Sequence, residues 1–254
     1  VVLRSTANPL LKDLRRLTQD ASSYRKLGRF WIEGEHLCAA ALSRGQRPEL
    51  AVFSESYWPS AAPALVQAAG RCQVVADPLF REISALESPA NMGFVMPWSP
   101  PGEILESCQS VILDRVQDAG NVGSILRSAS AFGFTQVLAL TGTAALWSPK
   151  VLRAGMGAHF ALRLHENLQP ADLVALQLPL LATSSHEGMS LGQAQLPAPC
   201  AWVFGHEGQG VSPSLLMDAT QQIRIAQPGG EESLNVAAAA AICLHASALA
   251  ASRG

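Results

Sequence analysis

Val111-Ile-Leu-Asp-Arg-Val-Gln-Asp-Ala-Gly-Asn-Val-Gly-Ser-Ile-Leu-Arg127 holds the pattern that decides the fold. An apolar, β-branched run predicts a strand over Ser110–Leu113, and after a small glycine turn the spacing predicts a helix over Asn121–Phe132. A strand feeding a helix through so short a turn is the unit of α/β architecture. The first N–H groups of such a helix have no partner within it, which makes the junction a ready anion site. Asn121, Ser124, Arg127 and Ser128 follow at i, i+3, i+6 and i+7 and share one helix face. An arginine there can hold a phosphate through two parallel hydrogen bonds. Taken alone, the segment reads equally as an ordinary capped helix with a surface arginine.

Outward from this unit the same alternation continues. Upstream, helices are predicted over Asn8–Leu17, Glu35–Ser43 and Ala61–Ala69, with a further short one from Pro78. Strands are predicted at Phe30–Glu33, Leu50–Phe53, Cys72–Val75 and Gly93–Met96. Downstream, strands fall at Val137–Leu140, Phe160–Leu164, Leu178–Ala182, Ala201–Phe204 and Gln222–Ile225, with helices over Pro149–Ala154 and from Ser233 to Ala250. Pro97-Trp-Ser-Pro-Pro-Gly102 is the clearest breaker, so the chain divides into residues 1–97, a linker at 98–107, and residues 108–254.

Two further segments carry chemistry. In Trp202-Val-Phe-Gly-His-Glu-Gly-Gln-Gly210 an apolar strand runs into three glycines around one acid, Glu207, which suits a sharp turn and close approach to the backbone. It is neither a dinucleotide fingerprint nor a P-loop, and Glu207 stands where a nucleophile elbow needs a serine. The third, Ile223-Arg-Ile-Ala-Gln-Pro-Gly-Gly-Glu-Glu-Ser-Leu-Asn235, leads into an alanine-rich helix. Ser233 reads as its N-cap, which leaves Asn235 inside the helix, where propensity gives it no reason to be.

Composition is ordinary for a compact protein, with 48% hydrophobic and 15% charged residues, and no apolar run is long enough to span a bilayer. The opening Val-Val-Leu-Arg-Ser-Thr shows no targeting pattern. Cys38, Cys72, Cys108, Cys200 and Cys243 are scattered and never form C-x-x-C, which argues against a disulfide framework or a structural zinc and fits a reducing cytoplasm. His36, His159, His165, His186 and His245 have no metal-ligand spacing, so no metal is expected. The net charge of −2 is uneven: residues 1–29 hold seven basic side chains against Asp13 and Asp20, whereas 166–254 hold Arg224 and Arg253 against seven acids. Such stretches can fold into a positive face for a nucleic acid, or remain solvated charge.

Asn121-x-Gly-x-x-x-Arg127, Phe204-Gly-His-Glu-Gly-x-Gly210 and Ser233-Leu-Asn-Val236 stand in the order and spacing of the three motifs of the SpoU/TrmH branch of the SPOUT methyltransferases. The chain from about residue 108 onward resembles that family. Asn8-Pro-Leu-Leu-Lys12 and Gly28-Arg-Phe-Trp-Ile-Glu-Gly-Glu35 more loosely resemble the ribosomal-protein-like RNA-binding domain that often precedes it. The resemblance implies a smaller α/β RNA-binding domain followed by an α/β trefoil-knot methyltransferase domain, a homodimer, and S-adenosylmethionine as cofactor. It assigns cofactor contacts to Thr183, Gly205, Ile225, Leu234 and Asn235, and catalytic roles to Asn121, Arg127, Glu207, Ser233 and Asn235. The reaction it implies is methyl transfer to a ribose 2′-hydroxyl of structured RNA. The two-domain layout favours ribosomal over transfer RNA. A guanidinium is a poor base, so Arg127 is read as a phosphate holder rather than the proton acceptor. Two competing readings stay open: an RNA-binding protein with the fold and no transfer activity, and a nucleotide-binding α/β domain acting on small molecules. The sequence departs from the family pattern at Ala226-Gln227, where Pro-Met is usual, and at Glu231-Glu232, which put negative charge beside the expected pocket.

Overall fold

The computed structural model describes residues 1–84, 90–185, 187–229 and 233–252; His186, Glu231 and Glu232 lie outside the described residues. The chain forms two compact units. One comprises Val1–Pro100 with Trp147–Phe160, and the other Pro101–Leu146 with Ala161–Gly254. The stretch Trp147–Phe160 therefore goes with the first unit, although it lies within the expected second domain.

The first unit contains β1 (Val2–Leu3), α1 (Pro9–Gln19), α2 (Ser23–Leu27), β2 (Arg29–Glu33), α3 (Glu35–Ser43), β3 (Leu50–Ser54), α4 (Pro63–Gln67), β4 (Cys72–Val75), α5 (Asp77–Ile83) and β5 (Met92–Pro97). Its sheet runs β1-β4-β3-β5-β2, with β5 antiparallel to both neighbours. Asn8 caps α1 by accepting from the Leu10 N–H at 2.9 Å, and Pro9 supplies a first helical position that needs no donor. Leu11, Leu14 and Leu17 repeat at helical spacing and pack with Trp31, Val52, Phe80 and Val95. Burying each such leucine contributes about 1.5–3 kcal/mol. The expected positive face is thinned by pairing: Arg4, Arg15 and Arg29 meet Glu55, Glu82 and Glu49. Lys12, Arg16 and Lys26 remain exposed.

The second unit holds β6 (Ser110–Asp114), α6 (Ala119–Ala131) and β7 (Gln136–Leu140). The chain then contributes α7 (Pro149–Gly155) to the first unit, where the Trp147 and Phe30 rings lie 4.6 Å apart. It returns as β8 (Arg163–Leu168), β9 (Leu180–Ser184), β10 (Met189–Ser190), β11 (Ala201–Gly205), α8 (Pro213–Asp218), β12 (Gln221–Arg224) and α9 (Val236–Ala251). The seven strands are all parallel, in the order β10-β12-β9-β11-β6-β7-β8. Continuous apolar runs such as Val111-Ile-Leu and Trp202-Val-Phe are what a parallel sheet covered on both faces requires. Trp202 is fully buried, as expected for a core strand, and its Nε1 donates to Ser247 Oγ at 2.8 Å, fastening α9 to the sheet.

Two expectations need correction. The strand predicted at Phe160–Leu164 is a 3-10 turn at Ala158–Ala161 followed by β8, whose register is set by Gln136 opposite Arg163 on β7. The helix predicted from Ser233 begins at Val236 with Asn235, not Ser233, as its cap.

Candidate active site

From β6 the chain moves outward through β7 and β8; its return through β9, β12 and β10 fills the other side, with β11 between β9 and β6. The boundary between β6 and β11 is thus a topological switch point, and in open parallel sheets ligands bind at the carboxyl ends of the strands there. The loops leaving β9, β11 and β12, with the segment entering α9, enclose a cavity of about 530 Å³ on the β11 side of that switch point. This is within the range of small-molecule sites.

The β11 loop is shaped by Gly205. A Cβ there would lie 2.1 Å from the Gly210 carbonyl carbon, so only glycine admits the turn. His206 and Gly210 exchange backbone hydrogen bonds at 3.0 and 2.8 Å. Inside the turn His206 Nδ1 accepts from the N–H groups of Gly208 (2.9 Å) and Gln209 (3.2 Å), which leaves the ring proton on Nε2. His206 is therefore an internal brace of the loop as well as part of the cavity wall.

Glu207 fastens this loop to the turn between β6 and α6. Its carboxylate accepts from Gln117 N (3.1 Å), Asp118 N (3.0 Å) and Asn121 Nδ2 (3.1 Å). Partial burial works to raise its pKa, but these bonds and one from its own N–H outweigh that and hold it down at about 2. A group that binds protons so weakly is a poor general base near neutrality and serves as an anionic brace. Asp118 caps α6 by accepting from Asn121 N at 2.8 Å.

Asn235 closes the arrangement. Its Oδ1 accepts from the N–H groups of Ala237 and Ala238, at 2.9 and 3.2 Å, capping α9. That fixes its Nδ2 toward Asn121 Oδ1, at 2.9 Å, and Asn121 Nδ2 toward Glu207. One directional chain of hydrogen bonds, Asn235 to Asn121 to Glu207, so ties together all three sequence motifs. The tertiary partner explains why Asn235, and not Ser233, is the cap.

Thr183, Gly205, Glu207, Ile225, Ser233, Leu234 and Asn235 line the cavity. Thr183 Oγ1 donates to the Val203 carbonyl at 3.0 Å. Asn121 stands behind the wall. Arg127 does not line the cavity; it is exposed on α6, about 9 Å along the helix axis from Asn121. It makes no hydrogen bond or ion pair among the described residues. Gln227, one of the departures from the family pattern, also lines the cavity, and its Oε1 is buried with no hydrogen-bond partner among the described residues. An orphan acceptor in the wall costs about 1–3 kcal/mol unless a ligand N–H meets it. S-adenosylmethionine, which carries amine donors on its adenine and methionine ends, fits such a wall, with Thr183, Gln227 and Ser233 side chains and the backbone at Gly205, Ile225 and Leu234 available to hold it. Among the described residues, no three His, Cys, Asp or Glu side chains gather as a metal site.

A parallel sheet with this switch point, and a glycine-loop cavity bonded to the turn between β6 and α6, defines an S-adenosylmethionine-dependent methyltransferase domain of the α/β-knot class, preceded by an α/β substrate-binding domain. The chain belongs to the SpoU rRNA methylase family, whose model matches residues 109–245; the MRM3-like substrate binding domain matches residues 8–93. It is 32% identical to the 23S rRNA (guanosine(2553)-2′-O)-methyltransferase RlmP of Bacillus subtilis over 96% of this chain and 97% of that one. An AdoMet-bound rRNA methyltransferase from Sinorhizobium meliloti is 26% identical with a TM-score of 0.83, covering 97% of each chain. A putative TrmH-family RNA methyltransferase from Porphyromonas gingivalis is 32% identical with a TM-score of 0.79, covering 96% of this chain and 98% of that one.

Proposed function

We propose that this chain methylates a ribose 2′-hydroxyl of ribosomal RNA. The observation that carries the reading is the Asn235–Asn121–Glu207 chain, which holds the cavity's loops as one preorganised wall. When bound, S-adenosylmethionine supplies an activated methyl group, so the protein's task is positioning. Thr183, Ile225 and Leu234 orient the cofactor, with Ser233 and Asn235 shaping its surroundings. Arg127 holds an RNA phosphate and stabilises charge near the reacting hydroxyl. Residues 1–97 dock the folded RNA, 98–107 link, and 108–254 carry the chemistry.

The enzyme acts as a homodimer in the cytoplasm. Along α9, Ala238, Ile242, His245 and Leu249 are all exposed at i, i+4, i+7 and i+11, an apolar stripe suited to a second copy. The five cysteines are free thiols, which suits a reducing compartment.

The test is transfer of labelled methyl from S-adenosylmethionine to ribosomal RNA lacking its modifications, with the product mapped by resistance of one backbone position to alkali. Incorporation at a single 2′-position is expected. Methylation of transfer RNA alone, or of no RNA by a protein that binds the cofactor, defeats the reading.

A further inference from the structure

Arg115 directly follows β6 with φ of 60°, in the left-handed region that disfavours residues with a bulky side chain and where glycine or asparagine is at ease. A long side chain held there calls for a compensating use. Its Nε donates to Asp114 Oδ1 at 2.9 Å and its Nη1 to Gln209 Oε1 at 2.8 Å. Asp114 is almost fully buried, and its other oxygen accepts from the Ser212 N–H at 2.6 Å. Asp114 and Arg115 therefore grip the glycine loop at both its tip and its exit. Room for the arginine stem comes from Gly142, where a Cβ would lie 3.1 Å from Arg115 Cγ. Thr143 Oγ1 accepts from the Arg115 N–H at 3.1 Å and donates to the Leu113 carbonyl at 3.0 Å, holding the strained backbone in place.

We propose that Arg115 is a positioning residue for cofactor binding, fixing the 205–211 loop through Gln209 beside the tie that Glu207 makes. The inference rests on the cavity being the cofactor site. Glu207 ties the loop to the start of α6; Arg115, through Gln209, ties it to the end of β6. With both ties present the cavity wall is set before the cofactor arrives, so less ordering is left for the binding step. Without Arg115, Gln209 loses its partner and the loop tip is free to swing into or away from the cavity.

Gln209→Ala makes the role separable from stability, because it releases the loop tip and leaves the Arg115–Asp114 pair intact. Arg115→Gly and Arg115→Asn relieve the conformational cost while removing the grip on Gln209. Calorimetry with S-adenosylhomocysteine is the readout, alongside thermal melting. Both variants leave the buried Asp114 carboxylate without its ion-pair partner and are expected to melt below the wild-type temperature, while the dissociation constant of the folded protein rises about tenfold, the order of one lost charge-assisted hydrogen bond. Arg115→Lys, a point charge without the planar fork, recovers only part of the affinity. In steady state, KM for S-adenosylmethionine rises with little change in kcat or in KM for RNA. Gln209→Ala weakens binding similarly, and adding it to Arg115→Gly produces no further loss. Wild-type affinity in Arg115→Gly or Arg115→Asn overturns the proposal, as do additive effects of the two sites. Should the Arg115 variants fail to fold, Gln209→Ala decides alone, wild-type affinity again overturning it. Failure of the wild-type protein to bind S-adenosylhomocysteine instead overturns the assignment of the cavity.

Discussion

Asn235 Nδ2 lies 2.9 Å from Asn121 Oδ1, joining residues 114 positions apart, and the same Asn235 side chain caps α9 through its oxygen. One carboxamide thus holds a helix start and a cavity wall, and substitutions can separate the two duties. Asn235→Ala removes both and is expected to cost about 1 kcal/mol through the lost cap. Asn235→Asp keeps a capping oxygen but sets a second acceptor against Asn121 Oδ1. It should melt close to wild type yet bind S-adenosylhomocysteine at least about tenfold more weakly. Paired melting and calorimetry check this; equal affinity in Asn235→Asp would sink it.

Glu207 gives a pH signature. Its pKa falls from 4.5 to about 2 because four hydrogen bonds outweigh the opposing effect of burial. A depressed carboxylate contributes stability that is fully present above its unfolded pKa and lost as pH falls through the folded one. The window is therefore pH 4.5 down to about 2. Glu207→Gln should be less stable than wild type at neutral pH, and the gap should narrow across that window. Solvent exposure of the side chain makes the gap smaller than the shift alone suggests. Denaturant melts of both proteins at stepped pH measure it.

Arg127 separates binding from transfer. Since it stands outside the cavity, Arg127→Ala should bind S-adenosylhomocysteine as wild type does. Methyl transfer should fall by about 10²–10³-fold, the scale for losing a transition-state donor. Arg127→Lys should stay well below wild type, because a point charge does not reproduce two-point phosphate contact. Full transfer by Arg127→Lys would show that the fork geometry is irrelevant.

The α9 stripe predicts an assembly state. Ile242 is 42% exposed and Leu249 44%, on a helix whose other faces are also apolar. Ile242→Glu places a charge in the middle of that stripe and should give monomers in sedimentation velocity, where wild type is expected to sediment as a dimer. Dimers of unchanged strength in Ile242→Glu would move the interface elsewhere.

Much of the fold was legible because its signals are local. Val111-Ile-Leu before a glycine turn, and Trp202-Val-Phe before Gly205, read as apolar strands meeting loops, and both are buried strands. What escaped was set by distant partners. Ser233 and Asn235 are both acceptable caps by type, and Asn121 decides between them. The arginines near the N-terminus read as free charge, but Glu49, Glu55 and Glu82 neutralise three of them. Phe160-Ala-Leu looks like a strand until β7 fixes its pairing three residues later. Arg115 gave no signal at all, since a left-handed backbone at an arginine leaves no mark in residue type.

The stretch Trp147–Phe160 leaves the first unit incomplete in any fragment cut at the proline-rich junction. Phe30 would lose the ring of Trp147, and Ala40 would lose the close-packed Gly157, where even a methyl group has no room. The gene therefore does not encode two interchangeable modules end to end. Of two separately expressed halves, the C-terminal one will carry a piece of the first unit's core and the N-terminal one will lack it. Residues 1–100 and the internal stretch 147–160 are a single structural unit written in two places.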